Sequence, residues 1–198
     1  MSKVEQRRSD LRQQLVALAE VQIAAQGMAS LRARDLAQRA GCAVGAIYNV
    51  FADMTALVLA VNGQTFARIS AEVAGSVTGL DHLAPEQRLI LLARAYLNFA
   101  DQNHHLWRAL FDVDLADDAQ VPDWYRRDLG QLFGHIAVPV SQIFQDLNHQ
   151  DLDLMVRALF SSVHGIVVLG LQNRISGVPR DRVEAMIEQV LLRITAKN

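Results

Sequence analysis

The sequence predicts an all-α protein, with a small N-terminal group of helices followed by a larger helical bundle. Apolar side chains recur at the helical spacing of about 3.6 residues in segment after segment. No stretch alternates apolar and polar residues for long enough to read as a strand. The 198 residues are 51% hydrophobic and 20% charged, with 11 Gly and 4 Pro, a make-up suited to a packed core and opposed to disorder. A chain of this length buries enough surface to need no covalent staple. Its one cysteine, Cys42, can form no internal disulfide, which permits a reducing compartment.

Leu11, Leu15, Leu18, Ala19, Gln22, Ile23 and Ala25 fall on one face of a first helix, from about Lys3 to Ala25, which Gly27 can close in a left-handed cap. Two short helical segments follow, at about 32–40 and 44–50, separated by Gly41, Cys42 and Ala43. Asp53 is placed to cap a longer helix that turns Leu57, Val58, Val61 and Phe66 inward. Pro85 fits the first turn of the next periodic run, Leu89, Leu92, Ala93, Tyr96, Leu97 and Phe99, because a missing N–H costs nothing there. A shorter helix is expected from about His105 to Phe111.

Residues 112–124 are acidic and carry Pro122, so they read as a loop. Beyond them Leu129, Leu132, Phe133, Ile136, Val140, Ile143 and Phe144 mark another helix, in which Pro139 predicts a kink or break. Segment 150–173 is apolar around most of its circumference, whereas Val183, Met186, Ile187, Val190, Leu191 and Ile194 form a single stripe on segment 180–196. A helix apolar on nearly every face needs cover from both sides, and a second copy of the chain can supply it. A homodimer is therefore expected, with Phe160, His164, Val167, Val168, Leu171, Met186 and Val190 at the seam and His164 in a buried hydrogen bond there.

Several function classes recede on composition. The first residues, MSKVEQRRSD, lack the apolar run of a signal peptide. The longest apolar run, Ile166 to Leu171, is six residues, against about 20 for a bilayer span, so no membrane partner is expected and the chain reads as soluble and cytoplasmic. The six histidines show no zinc-like spacing. Asp112, Asp114, Asp117, Asp118 and Asp123 resemble a calcium loop only superficially, because Ala116 replaces an oxygen ligand and the turn glycine is missing. No metal and no cofactor is expected. No nucleophile–base pair, phosphate loop or spaced carboxylate pair supports catalysis.

Charge is uneven. Residues 1–55 hold Lys3, Arg7, Arg8, Arg12, Arg32, Arg34 and Arg39 against five acidic side chains, a net of +2, while the remainder is net −4. The N-terminal part is thus suited to meet an anion. Within it lies RDLAQRAGCAVGAIYNVF, residues 34–51. Two helices that cross tightly need a small residue at their contact, and Ala37 supplies it. A residue tolerant of positive φ belongs in the turn, at Gly41, and an apolar anchor six positions on, Ile47, locks the second helix to the first. With Ile47 and either Val50 or Phe51 turned inward, Val44, Gly45, Ala46, Tyr48 and Asn49 are left to face a major groove. Small side chains at 45 and 46 permit close approach, Asn49 suits adenine, Val44 a thymine methyl and Tyr48 a phosphate. Arg32 and Arg34, with Arg7 and Arg8 on a basic arm, would add salt-sensitive backbone contacts.

On these residues the chain resembles TetR/AcrR-type transcriptional regulators. GMASLRARDLAQRAGCAVGAIYNVFADMTALVLAV, residues 27–61, carries the likeness most strongly. YLNFADQNHHLWRALF (96–111) and VRALFSSVHGIVVLGL (156–171) are similar to a branch with a Trp-His-Gly-type motif, here Phe160, His164 and Gly165. The resemblance implies about nine helices per chain, a DNA-reading domain over 1–52 and a ligand and dimerisation domain over 53–198. It further implies a four-helix dimer interface from the last two helices of each subunit. Bundle interiors are where helical proteins house ligands, so Tyr96, Phe99, His104, Trp107, Phe111, Phe133 and His135 are candidates to line a pocket, each also explicable as ordinary core. The expected function is a dimeric regulator, read as a repressor, that leaves a palindromic double-stranded operator when a small apolar or amphipathic effector binds. The competing expectation is a helical enzyme or carrier that keeps the shape without binding DNA.

Overall fold

The computed structural model of the chain describes residues 2–113, 121–172 and 175–196. Among the described residues it is built of nine α-helices, with no strand. Asp114, Ala116, Asp117 and Asp118 of the acidic loop lie outside the described residues.

Helix α1 (Lys3–Gln26) opens on a capping box: the Glu5 N–H donates to Ser2 Oγ at 3.2 Å and the Ser2 N–H to the Glu5 carboxylate at 2.6 Å. Arg7 and Arg8 therefore sit in a continuous helix, exposed, where the sequence suggested an arm. Gly27 has positive φ as expected, but its ψ of 165° is extended, so it turns the chain into a 3₁₀ turn at Met28–Ser30 in place of a left-handed cap.

Helices α2 (Ala33–Ala40) and α3 (Val44–Tyr48) are followed by α4 (Met54–Gly75). Asp53 caps α4 as expected, its carboxylate accepting from the Ala56 N–H at 2.7 Å. Helix α5 (Pro85–Gln102) starts on its proline, and α6 (His104–Asp112) follows. Helix α7 (Asp123–Ile143) runs through Pro139 without interruption. The proline lacks the N–H that would reach the His135 carbonyl, yet the helix continues for a further turn. Helix α8 (His149–Leu171) is capped by Asn148, whose side-chain oxygen accepts from Gln150 and Asp151, and α9 (Val183–Thr195) ends the described chain.

The helices fall into two compact units. The first comprises Met1–Ala67 and Asn103–Arg126, the second Arg68–Gln102 and Arg127–Asn198. The expected boundary at 52/53 thus falls inside the first unit, which takes in the N-terminal part of α4 and all of α6. Its core joins Leu15, Val16, Ala19 and Ile23 of α1 to Leu36 and Ala37 of α2, Ile47 of α3, Leu57, Val58 and Val61 of α4, and Leu106 and Ala109 of α6. In the second unit α5, α8 and α9 pack on one another. Arg94 pairs there with Glu184 at 3.0 Å and Glu188 at 2.8 Å, and buried Arg88 donates to Gln142 on α7.

Gly41 holds the turn between α2 and α3. It is left-handed, at φ 66° and ψ 31°. Its N–H donates to the Gln38 carbonyl at 3.2 Å and that of Cys42 to the Ala37 carbonyl at 3.0 Å, the paired bonds of a Schellman cap. A Cβ at 41 would touch nothing, so only backbone strain opposes one. Gly41→Ala is expected to lower stability by about 1–2 kcal/mol, read as a lower denaturation midpoint in urea with an unchanged slope.

Candidate functional site

The first candidate surface is the outer face of α3. The helix has only five residues, too few to hold itself, so burial orients it. Ile47 is fully enclosed and Phe51 nearly so, with Val50 half-buried. That settles which neighbour turns furthest inward. The Arg12 guanidinium lies 4.5 Å from the centre of the Phe51 ring, a cation–π contact that ties α1 to the residue closing α3. On the opposite face Val44 is 38% and Tyr48 48% exposed, Gly45 and Asn49 are exposed and Ala46 is half-buried.

Cations surround this face unequally. Arg34 is exposed at the start of α2. Arg32 donates to the carbonyls of Ala29 at 2.7 Å and Leu31 at 2.9 Å, so part of its guanidinium braces the 3₁₀ turn. Arg39 donates to Gln22 of α1 at 3.1 Å. Cys42 is half-buried and in no disulfide.

The second candidate is a cavity inside the second unit, enclosing about 470 Å³ of atom-free space, part of it open to solvent. Val73 of α4, Leu89, Leu92, Ala93 and Tyr96 of α5, and Leu132 and Ile136 of α7 form three of its sides. Leu159, Phe160 and Val163 of α8 and Leu191 of α9 complete it. No charged side chain is among these residues. Phe160 is the hub of an aromatic group: it lies edge-on to Tyr96 at 5.7 Å and to Phe133 at 5.1 Å, and stacks on His164 at 5.5 Å with 15° between planes. The Tyr96 hydroxyl is 2.8 Å from His164 Nδ1. Burial pushes the His164 pKa below its ordinary 6.5, which favours the neutral ring.

Of the seven residues expected at a pocket, Tyr96 lines this one. Phe99 is buried in α5 outside the lining, Phe133 reaches it through Phe160, and His135 lies 3.0 Å from the Ser70 hydroxyl through Nε2. His104, Trp107 and Phe111 belong to the first unit, where they form an aromatic run on α6 with Trp107 almost wholly enclosed. The lining could have been found from the stripe Leu89, Leu92, Ala93 and Tyr96 itself.

Several residues expected at a dimer seam are covered within the single chain. Val167 has no exposed surface and Leu171 very little. Phe160 lines the cavity, and a half-buried hydrogen bond of His164 runs to Tyr96 within the same chain. Val168, Met186 and Val190 are half-buried. The apolar surface left open on these helices is instead Leu154 (57%), Leu169 (40%), Leu192 (45%) and Ile194, with Ala158, Ser161 and Ser162 exposed between the first two. By length and composition α8 is also the one described helix able to cross a membrane, and only 33% of its apolar window is buried within the chain. The six-residue run understated it, because interspersed Ser, His and Gly break a run without making the helix polar.

Two family models match the chain. "Bacterial regulatory proteins, tetR family" covers residues 15–61, and "Tetracyclin repressor-like, C-terminal domain" covers residues 89–194. A search of curated proteins finds no match. Among solved structures, a protein of unknown function from Rhodococcus sp. RHA1 aligns with a TM-score of 0.74 at 25% identity, over 94% of this chain and 96% of that one. RolR, solved in complex with resorcinol, aligns at 0.68 and 20% identity over 96% and 89%. The fatty acid degradation regulator FadR from Bacillus halodurans aligns at 0.66 and 17% identity over 91% and 94%.

The lowered His164 pKa fixes the sign of a pH effect. Below about pH 6.5 the unfolded chain binds a proton that the folded chain resists, so stability falls as pH drops from there toward the folded pKa. The melting temperature is expected to fall across that window, and His164→Gln, which cannot take up the proton, is expected to flatten the fall relative to wild type.

Proposed function

We infer, since this chain belongs to the TetR family of bacterial regulators, that it is a dimeric, ligand-responsive repressor that binds a palindromic DNA operator and leaves it when a small apolar or amphipathic effector fills the α4–α5–α7–α8–α9 cavity. The observation that carries this is the α3 face: a short helix, fixed by Ile47 and the Gly41 turn, with Val44, Gly45, Tyr48 and Asn49 directed outward. Such a rod fits the major groove. Val44 and Asn49 are assigned to bases, Gly45 and Ala46 to close approach, and Tyr48, Arg7, Arg8, Arg32 and Arg34 to phosphates. The reading domain is taken as 1–52 and the effector and dimerisation domain as 53–198. The DNA it reads places it in the cytoplasm, and the role is non-enzymatic.

Dimerisation is supported by the exposed leucines of α8 and α9, and a dimer on a palindrome places its two reading helices on half-sites about 34 Å apart. Effector binding is supported by the RolR structure being a complex with the ligand resorcinol and by the apolar lining here. The likeness of Phe160, His164 and Gly165 to the Trp-His-Gly branch is retained as part of this proposal, supported by Phe160 standing in the cavity wall. Helix α4 is assigned as the lever. It carries Leu57, Val58 and Val61 in the first core and Val73 in the cavity lining, and an effector that favours one setting of it shifts operator affinity by that difference.

Gel retardation on the DNA upstream of the gene tests the proposal, and no retardation at any salt concentration would end it. Tyr48→Ala with Asn49→Ala is expected to abolish the shift, while Arg34→Ala reduces the salt slope by about 0.9 and weakens all sequences alike. Leu169→Asp with Leu192→Asp is expected to give monomers by sedimentation and to lose operator binding, the cavity remaining intact.

A further inference from the structure

The cations around α3 are not equally available. Arg32 is committed in part to the Ala29 and Leu31 carbonyls, and Arg39 to Gln22. Arg12 is placed otherwise. It is exposed on α1, with its guanidinium carbon over the Phe51 ring at 4.5 Å, and among the described residues it forms no hydrogen bond or ion pair. The carboxylates closest to it in sequence are engaged within α1. Asp10 accepts from the Gln6 amide at 2.8 Å and Glu5 from the Ser2 N–H at 2.6 Å.

A guanidinium is planar, and its five N–H donors lie in that plane. Contact through a face therefore leaves the edge open to an acceptor that matches its fork, namely a carboxylate or a phosphate. A long unpaired side chain also loses rotamer freedom when it binds. The Phe51 ring removes part of that cost in advance by holding the head group in place.

Location decides between the two acceptors. Phe51 is buried, follows α3 by three residues and is joined to it by the bond from the Phe51 N–H to the Ile47 carbonyl at 2.9 Å. Arg12 thus stands at the C-terminal end of the helix whose outer face carries Val44, Gly45, Tyr48 and Asn49. A helix seated in a major groove about 12 Å wide has sugar–phosphate walls beyond its ends, so a cation fixed at one end of α3 meets a phosphate there. Arg8, one turn before Arg12 on the same face of α1, extends the positive strip away from α3.

We propose that Arg12 is a phosphate-binding residue of the reading domain, its guanidinium face resting on Phe51 and its edge taking a DNA phosphate at the C-terminal end of α3. One side chain then both braces the reading helix and anchors it to the duplex. This rests on the chain being an operator-binding regulator, and it adds a contact that fixes the position of α3 along the groove.

Fluorescence anisotropy of the full chain on a labelled duplex of the DNA upstream of the gene, repeated at several KCl concentrations, tests it. Arg12→Met keeps an unbranched apolar stem over Phe51 and removes the charge. It is expected to reduce the slope of log affinity against log salt by about 0.9 per subunit and to weaken all sequences alike, with thermal unfolding still cooperative. Arg12→Lys, which keeps the charge but not the planar fork, should restore the slope and regain only part of the affinity. The penalty of Arg12→Met should shrink when Phe51→Leu is also present, since the head group is then no longer held. Arg12→Met with wild-type affinity and slope would overturn the assignment. Weaker binding at every salt concentration with an unchanged slope would do the same, because it marks a side chain that only props α3, and so would a penalty undiminished by Phe51→Leu. Any of these with wild-type operator binding intact sinks this contact alone. A wild-type chain that binds the duplex at no salt concentration sinks the regulator and this contact with it.

Discussion

The left-handed turn at Gly41 is the constraint on which the outward face of α3 depends. A five-residue helix gains little from its own hydrogen bonds, so α3 exists because Ala37 lets α2 come close, Gly41 reverses the chain without strain, and Ile47 enters the core that α1 has prepared. Each of these acts on one side of α3. The other side is left with Val44, Gly45, Tyr48 and Asn49, exposed and held in place by the packing of Ile47 and Phe51 behind them. Separating the residues that fix the helix from those that face outward lets the outer positions vary while the frame is kept.

The second unit solves a different problem with the same means. Helix α8 must be apolar toward the cavity, through Leu159, Phe160 and Val163, and it is also apolar on the face that carries Leu154 and Leu169. One stripe serves the interior and the other is left uncovered within a single chain. An exposed apolar stripe of this kind calls for a partner surface, and the small residues Ala158, Ser161 and Ser162 between the leucines would allow a second helix to approach closely. The aromatic group around Phe160 keeps the first stripe from collapsing onto the space it surrounds, because large flat side chains prop the walls that small aliphatic ones would let close.

How much of this was legible in the sequence follows from the range of the interactions involved. Capping at Asp53, the first-turn Pro85, the Gly41 turn and the buried Ile47 are local, decided within a few residues, and periodicity together with turn chemistry located them all. The cavity was only half legible. Its α5 wall was visible as a stripe, but which of the aromatic side chains share a space depends on how five helices pack, and the aromatic residues of α6 belong to another unit altogether. Val167 and Leu171 were expected at a seam for the same reason: the sequence shows that a helix is apolar all round without showing which face its own chain covers. Pro139 failed as a break because losing one hydrogen bond is a local cost, which the packing of α7 outweighs.

Two polar residues in the middle of α4 bear on how such a helix could act as a lever. Asn62 and Thr65 are fully buried, beside the apolar contacts of Leu57, Val58 and Val61. The Asn62 amide donates to the Ala109 carbonyl of α6 at 3.0 Å, and the Thr65 hydroxyl donates back to the Val61 carbonyl at 3.2 Å, a bond that tends to bend a helix. Nearby, burial pushes the Tyr125 phenol pKa up, against a smaller opposing effect of the Asn62 side chain, and the Tyr125 ring packs edge-on to Phe66 at 5.1 Å. Apolar contacts alone would let α4 slide by small amounts at little cost. A buried amide does not, since a displacement that breaks the bond to Ala109 leaves a desolvated donor. Helix α4 is therefore held at a definite register against α6, and any movement large enough to matter must either carry α6 with it or exchange this bond for another.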